Sequence, residues 1–207
     1  MGRAARPLPS GHDRAGTARL LAGPDPERID AARVVLGADR LTAHGTSCAT
    51  DHATAYRLDT GPGWVTRSLE VTTLGDHGAR RLELSRDEGG TWAARRWVDG
   101  REVDVDLPDL RDALDCDLGL CPLTNTMPVL RGGLLREGGG RSRLTAAWVE
   151  VPDLVVRADV QHYGPSVPSP GGGAAVEFGV EGFAATIVVD ADGLVVSYPG
   201  IAERLRG

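Results

Sequence analysis

The sequence predicts a single antiparallel β-rich domain, and three observations carry that expectation. Short apolar runs recur along the chain, several with strict period-2 alternation, Gly-bearing turn signals separate them, and helix signals are scarce. At 207 residues the chain suffices for one substantial β domain, since all-β barrels and sandwiches often reach about 200–250 residues as one unit. A hydrophobic fraction of 41% supports a core, and 28 Gly with 13 Pro supply turns.

Residues 1–26 are rich in Gly, Pro, Arg and Ala without apolar periodicity, and they end in Gly23-Pro24-Asp25-Pro26. Such composition predicts a disordered leader, with one domain over 27–207. Strands are expected at Ala31–Leu36, Ala53–Leu58, Trp64–Val71, Arg80–Leu84 and Trp92–Val98. Val103, Val105 and Leu107 alternate with Glu102, Asp104 and Asp106, as a strand with one buried face should. Leu144–Val151 follows. Leu154, Val156, Ala158 and Val160 form the next apolar register, which His162 shares, and Ala174, Val176, Phe178 and Val180 form another. Phe183–Val189 and Leu194–Tyr198 complete the set. Asp99-Gly100, Glu181-Gly182 and Asp192-Gly193 place Gly where a tight hairpin needs positive φ. Short helical turns are expected only at Leu107–Leu114 and Pro199–Leu205, each near a Pro that can open a helix.

The net charge of −6 argues against nucleic-acid binding, which needs a concentrated excess of cations. All 23 cations are Arg, a composition expected of a GC-rich bacterial genome. No stretch approaches the roughly 20 apolar residues of a membrane span, and the first residues lack a signal-peptide core. Three cysteines, an odd number without a secretory signal, predict reduced thiols in the cytoplasm. Cys116 and Cys121 lack the second pair that a zinc site needs, and Asp190-Ala191-Asp192-Gly193 lacks the terminal Glu of a calcium loop, so no metal or other cofactor is expected. No G-x-S-x-G nucleophile elbow is present, and Gly-rich runs such as Gly171–Gly173 lack the Lys-Ser/Thr of a phosphate loop.

The stretch Asp115–Arg131, DCDLGLCPLTNTMPVLR, is neither periodic nor loop-like. It resembles the hallmark of the putative glycolipid-binding family, an acidic pair before Leu, a Pro, then Thr-Asn-Thr with a Pro two residues on and a following Arg. Asp115, Asp117, Leu118, Pro122, Thr124, Asn125, Thr126, Pro128 and Arg131 carry the match. Tyr56-Arg57-Leu58, Trp64 with Thr66-Arg67-Ser68, Gly90 with Trp92, Val151-Pro152-Asp153-Leu154, Gln161 with Tyr163, and Tyr198-Pro199-Gly200 follow in family order. The resemblance implies a curved antiparallel sheet forming a half-barrel over an apolar cavity; the strand pattern alone also allows a closed barrel or a sandwich. It further implies an amphiphilic, glycolipid-like partner. This sequence has Leu130 where a second Arg is common, which weakens a double-Arg anion site.

Each candidate residue has a structural and a functional reading. Asp115 and Asp117 serve as turn caps or as partners of Arg131, or else as an acid–base pair. Thr124, Asn125 and Thr126 build a turn through hydrogen bonds to nearby backbone, or bind a sugar hydroxyl. Arg67 shares the register of Val65, Leu69 and Val71, so either a bulge turns it outward or it reaches the cavity as a buried charge needing a partner. Trp64, Trp92, Trp97 and Trp148 are expected to fill the core or plug a barrel end, with stacking on a lipid or sugar as the second reading. The motif points to Asn125, Arg131, Gln161, Tyr163 and Arg67 as headgroup ligands, with no catalytic residue assigned. The alternatives are a hydrolase using the Asp115–Asn125 segment and a β domain whose core its own side chains fill.

Overall fold

A computed structural model describes residues 14–15, 19–24, 27–136 and 139–205, with side chains described from Arg28 onward. The first half holds β1 (Arg14–Ala15), β2 (Arg19–Pro24), β3 (Glu27–Leu36), β4 (Leu41–Cys48), β5 (His52–Thr60), β6 (Thr66–Gly75), β7 (Gly78–Arg86), β8 (Trp92–Val98) and β9 (Arg101–Val103). The second holds β10 (Ala113–Leu118), the short helix α1 (Thr126–Arg131), β11 (Ser142–Val149), β12 (Val156–Pro168), β13 (Ala174–Val180), β14 (Phe183–Val189), β15 (Val195–Tyr198) and β16 (Ala202–Arg204). The strands form one curled half-barrel sheet in the order β10-β11-β12-β13-β14-β15-β16-β2-β3-β4-β5-β6-β7-β8-β9, with β1 beside β3. Each hydrogen-bonded neighbour is antiparallel except β10, which runs parallel to β11. No helix among the described residues is long and apolar enough to cross a membrane.

The inner face is built by cross-strand rows. Ala43, Leu58, Leu69 and Leu84 pair in register across β4 to β7, and all are buried. Beside them Gly45, Tyr56, Val71 and Leu82 form the next row, where the Tyr56 ring lies across Gly45 in space that a Cβ would fill. Onto this face fold Leu110, Cys116, Leu118, Leu123 and Met127, so a segment of the same chain occupies much of the hollow. A second apolar cluster joins Val129 and Leu134 to Tyr163, Val176, Phe178 and Ile187.

Several expectations are corrected. Composition marks residues 1–26 as a leader, yet Arg14–Ala15 and Arg19–Pro24 are strand, because β2 finds backbone partners on both sides, pairing Leu21 with Asp30 and with Arg204. The remaining residues of 1–26 lie outside the described residues. The strand expected through Leu107 ends at Val103; Pro108 offers no N–H to a ladder, and the chain instead carries Leu110 into the core. Leu107–Leu114 and Pro199–Leu205 are not helical. Ala113 begins β10, and Pro199-Gly200, with Gly200 at φ 77°, turns β15 into β16. The helix lies at Thr126–Arg131, preceded by a 3₁₀ turn over Pro122–Asn125; Pro122 and Pro128 both sit in first turns, where a missing N–H costs nothing. The hairpin signals hold, with Asp99 at φ 48° and Gly100 at φ 78° in a tight turn and Gly182 and Gly193 both at φ 76°. β4, not expected from its weakly apolar sequence, alternates as cleanly as its neighbours.

A methyl group on Gly45 would overlap the Tyr56 ring, so Gly45→Ala is expected to lower stability by about 1–3 kcal/mol in urea unfolding. Adding Tyr56→Leu should recover part of that loss.

Candidate functional site

The unusual stretch Asp115–Arg131 is β10 together with the start of its crossover to β11. A parallel neighbour cannot be reached by a hairpin, so the chain must leave the sheet, and here it does so through the 3₁₀ turn and α1. The crossover lies between both apolar clusters, with Leu123 and Met127 in one and Val129 and Leu134 in the other.

Two carboxylates on β10 hold it there. Asp115 is buried and paired bidentately by Arg131, whose Nη1 donates to Oδ1 at 2.7 Å while Nη2 donates to Oδ2. Burial raises the Asp115 carboxyl above its ordinary value, and the guanidinium works against that rise. Asp117 accepts from Thr124 Oγ1 and from Gln161 Nε2, each at 2.6 Å. Gln161 Nε2 also reaches Asp159 Oδ2 at 3.3 Å, and Tyr163 OH donates to Asn125 Oδ1 at 2.8 Å. Asn125 Nδ2 in turn donates to Pro122 O at 3.2 Å. Burial lifts Asp117 to about 6, more than its two hydrogen bonds lower it.

This network floors a cavity of about 490 Å³. Asp117, Asn125 and Gln161 line it, joined by Asp159 and Glu150. The rest of the lining is largely aromatic and aliphatic, with Trp148, Phe178, Phe183 and Tyr198 beside Leu120 and Val180, and Trp148 is the cross-strand neighbour of Asp117. Phe178 meets Tyr198 edge-on at 5.7 Å between ring centroids, and Phe183 lies 6.2 Å from Tyr198. Among the described residues, no Arg or His lines it.

Of the expected headgroup ligands, the fold brings Asn125 and Gln161 to this cavity, while Tyr163 lies just beneath it, 1% exposed. Arg131 is spent on Asp115. Arg67 is not brought to the cluster: Asp59 faces Ser68 and Thr60 faces Thr66, so Arg67 is the extra residue of a bulge and points outward beside Gly61. Thr126 is buried, and its hydroxyl has no hydrogen-bond partner. His162 is exposed, contrary to the expected register. The β11–β12 ladder runs without a bulge, but burial passes from Val156 on one face to Gln161 and Tyr163 on the other, as the strand leaves one apolar cluster and meets the second. Asp159 and Glu150 lie outside the expected set, although the alternation of Asp159 with Gln161 and Tyr163 is visible in the sequence, and Trp148, for which stacking on a lipid or sugar is the second reading, lines the cavity. Trp92 is buried and donates to Ala113 O at 3.1 Å, whereas Trp97, expected in the core, lies half-exposed between Arg81 and Arg95. Cys116 and Cys121 are free thiols that burial pushes up, Cys121 to about 11, so neither is a ready nucleophile.

A family model described as Putative glycolipid-binding matches residues 22–204. The crystal structure of a DUF1089 family protein from Pseudomonas aeruginosa is similar over 85% of this chain and 92% of that one, with a TM-score of 0.63 at 28% identity. No curated protein matches the chain.

Arg131→Met would leave Asp115 buried without its counter-charge and is expected to cost about 3 kcal/mol, read by urea unfolding; Asp115→Leu in the same chain should restore most of it. Because the folded-state affinity of Asp117 for its proton is raised, from 3.8 to about 6, its contribution to stability is complete below the lower value and is lost as pH rises through the upper one. Asp117→Asn should therefore lose less stability than the natural chain between those two pH values, as unfolding curves at each pH would show.

Proposed function

The chain belongs to the family described as Putative glycolipid-binding, and on that premise we propose that it binds a neutral, hydroxyl-bearing amphiphile such as a glycolipid in the cavity above Asp117, without transforming it. The observation that carries this reading is the make-up of the lining, where Asp117, Asp159 and Glu150 stand together with Trp148, Phe183 and Tyr198. Carboxylates accept hydrogen bonds from hydroxyl donors, and aromatic faces cover the apolar faces of a sugar ring or the first part of a chain. Phosphate or sulfate headgroups would meet the like charge of Asp117 and Asp159, while Arg157 beside the cavity is already paired with Glu150 at 3.0 Å. A volume of about 490 Å³ lies within the usual range for a small-molecule site.

The hydrogen-bond inventory separates positioning from recognition. Both Gln161 N–H bonds are directed at Asp117 and Asp159, and Asn125 is engaged by Pro122 and Tyr163. Spare accepting capacity therefore lies with Asp159, Glu150 and the second lone pairs of Asp117. The reading takes the protein as cytoplasmic, with its thiols reduced.

A second reading has one observation in its favour, the raised affinity of Asp117 for a proton beside Asp159 in a cavity, as a general acid in a hydrolase would require. It predicts turnover of a chromogenic glycoside that Asp117→Asn abolishes without unfolding the protein.

Dodecyl maltoside below its micellar concentration should bind and quench Trp fluorescence, while dodecyl sulfate should not. Trp148→Ala should weaken the maltoside about tenfold, or about 1.4 kcal/mol. Equal binding of the sulfate, or no binding of either, would remove the proposal.

A further inference from the structure

On the other side of β12 from Gln161 and Tyr163 lies a separate cavity of about 370 Å³, built over β11, β12 and β13. Its rim carries Arg141, Arg143 and His162 with Glu177, while Gly164 and Gly179 contribute backbone only. Arg143, His162 and Gly179 are cross-strand partners in one row, so His162, which periodicity assigns to the apolar register, stands between an arginine and a residue without a side chain. Arg141, two residues before Arg143, and Glu177, two before Gly179, fall on the same side by the period-2 alternation of strands. The hollow has a local cause. Gly164 sits at φ 84° where the β12–β13 register shifts, and a Cβ there would run into Gly140 O and lie 3.4 Å from Arg141 Cα. That close backbone approach, which only Gly permits, brings Arg141 against β12.

The charges gathered here differ from those elsewhere in the molecule. Arg28, Arg131, Arg157 and Arg204 each have a carboxylate within hydrogen-bond reach. Among the described residues, the side chains of Arg141, Arg143 and His162 make no hydrogen bond or ion pair, and Glu177 is the one carboxylate that lines the cavity. An exposed arginine is hydrated without a partner, so this alone marks no site. Convergence marks it: two guanidinium forks and an imidazole open onto one hollow within one or two ladder spacings, about 5–10 Å, in a chain of net charge −6. Two guanidinium groups held so close repel each other, and a shared anion removes that cost.

We infer that this cavity binds a phosphate monoester of a polyol, the phosphate held by Arg141 and Arg143 with an N–H from His162, and the hydroxyl-bearing remainder placed toward Glu177. Each guanidinium can donate two parallel bonds to a tetrahedral oxyanion. The charge of about −1.5 to −2 on a phosphate monoester at pH 7 suits two such groups better than the single charge of a sulfate ester. A neutral imidazole supplies one further donor. Glu177 repels a bare anion but accepts from a hydroxyl, so it favours the ester over inorganic phosphate. Free and lipid-borne esters share this chemistry, and a volume of about 370 Å³ has room for more than the phosphate alone. The site lies on the opposite face of β12 from the Asp117 cavity and does not rest on what binds there.

The test is a ¹H–¹⁵N NMR titration of the full chain with glycerol 3-phosphate, and with glycerol and inorganic phosphate as controls, beside sedimentation with phosphatidylcholine vesicles with and without phosphatidylinositol 4-phosphate. Saturable shifts at residues 141, 143, 162, 164 and 179 are expected with glycerol 3-phosphate, with weaker binding of inorganic phosphate and none of glycerol. Arg143→Gln should weaken the ester about tenfold, and Arg143→Lys should restore only part of that, because the charge returns without the fork. Arg33→Gln, at an exposed arginine on β3, should change nothing. Glu177→Gln should narrow the preference for the ester over inorganic phosphate. Saturable binding of the free ester assigns a soluble ligand, and sedimentation with the phosphoinositide vesicles that Arg143→Gln abolishes assigns a lipid headgroup. Neither result, or an equal loss in Arg33→Gln, would overturn the inference.

Discussion

Asp115 is the residue that anchors the crossover lying between the two apolar clusters. A carboxylate 2% exposed on a strand in contact with the core needs a counter-charge within hydrogen-bond reach. Arg131, at the last turn of α1, supplies it, which fixes where the crossover from β10 to β11 must lie. With the crossover placed, Met127 enters the cluster beneath β4–β8 and Val129 enters the one beneath β13–β15. The parallel pairing of β10 with β11 and the filling of the half-barrel are thus parts of one arrangement.

The same arrangement gives the second carboxylate a different role. Asp117 has no guanidinium partner; it is held by the neutral donors Thr124 and Gln161, and without a compensating charge burial prevails and raises its proton affinity. Two acids one residue apart on β10 are in this way divided into a structural ion pair and a titratable cavity wall. Tyr163 and Asn125 stiffen the floor from below, so the hydroxyl, amide and carboxyl groups at the surface of the cavity are oriented before any ligand arrives.

The polar interior is not confined to the motif. The row of Asp30, Ser47 and Thr54 extends through Leu21 to Arg204, with Asp30 paired to Arg28 and Arg204 to Asp190. Among the described residues, the turn Leu118–Cys121 and Val151 line both the Asp117 cavity and a smaller one beside Ser47 and Thr54.

Local chemistry was readable from the sequence because it depends on near neighbours. Alternation at Ala174, Val176 and Phe178 and Gly at the hairpin tips translate directly into strands and turns, since side-chain direction and backbone φ are set within a few residues. The stretch Asp115–Arg131 also announced itself, and Asn125 and Gln161 do meet in one cavity. Other features needed the assembled molecule. Which face of β12 is buried depends on which cluster the strand is crossing, so His162 and Gln161 exchange the places that periodicity assigns them. Whether Arg131 reads a headgroup or neutralises Asp115 is decided by a contact 16 residues apart in the chain. Sequence by itself determined most of the central strands, their hairpin turns and the inventory of polar groups; only tertiary structure decided where β2 and β4 pair, which of those groups are saturated and which face open space, because ladder partners, hydrogen bonds and desolvation belong to the packed interior and not to the chain.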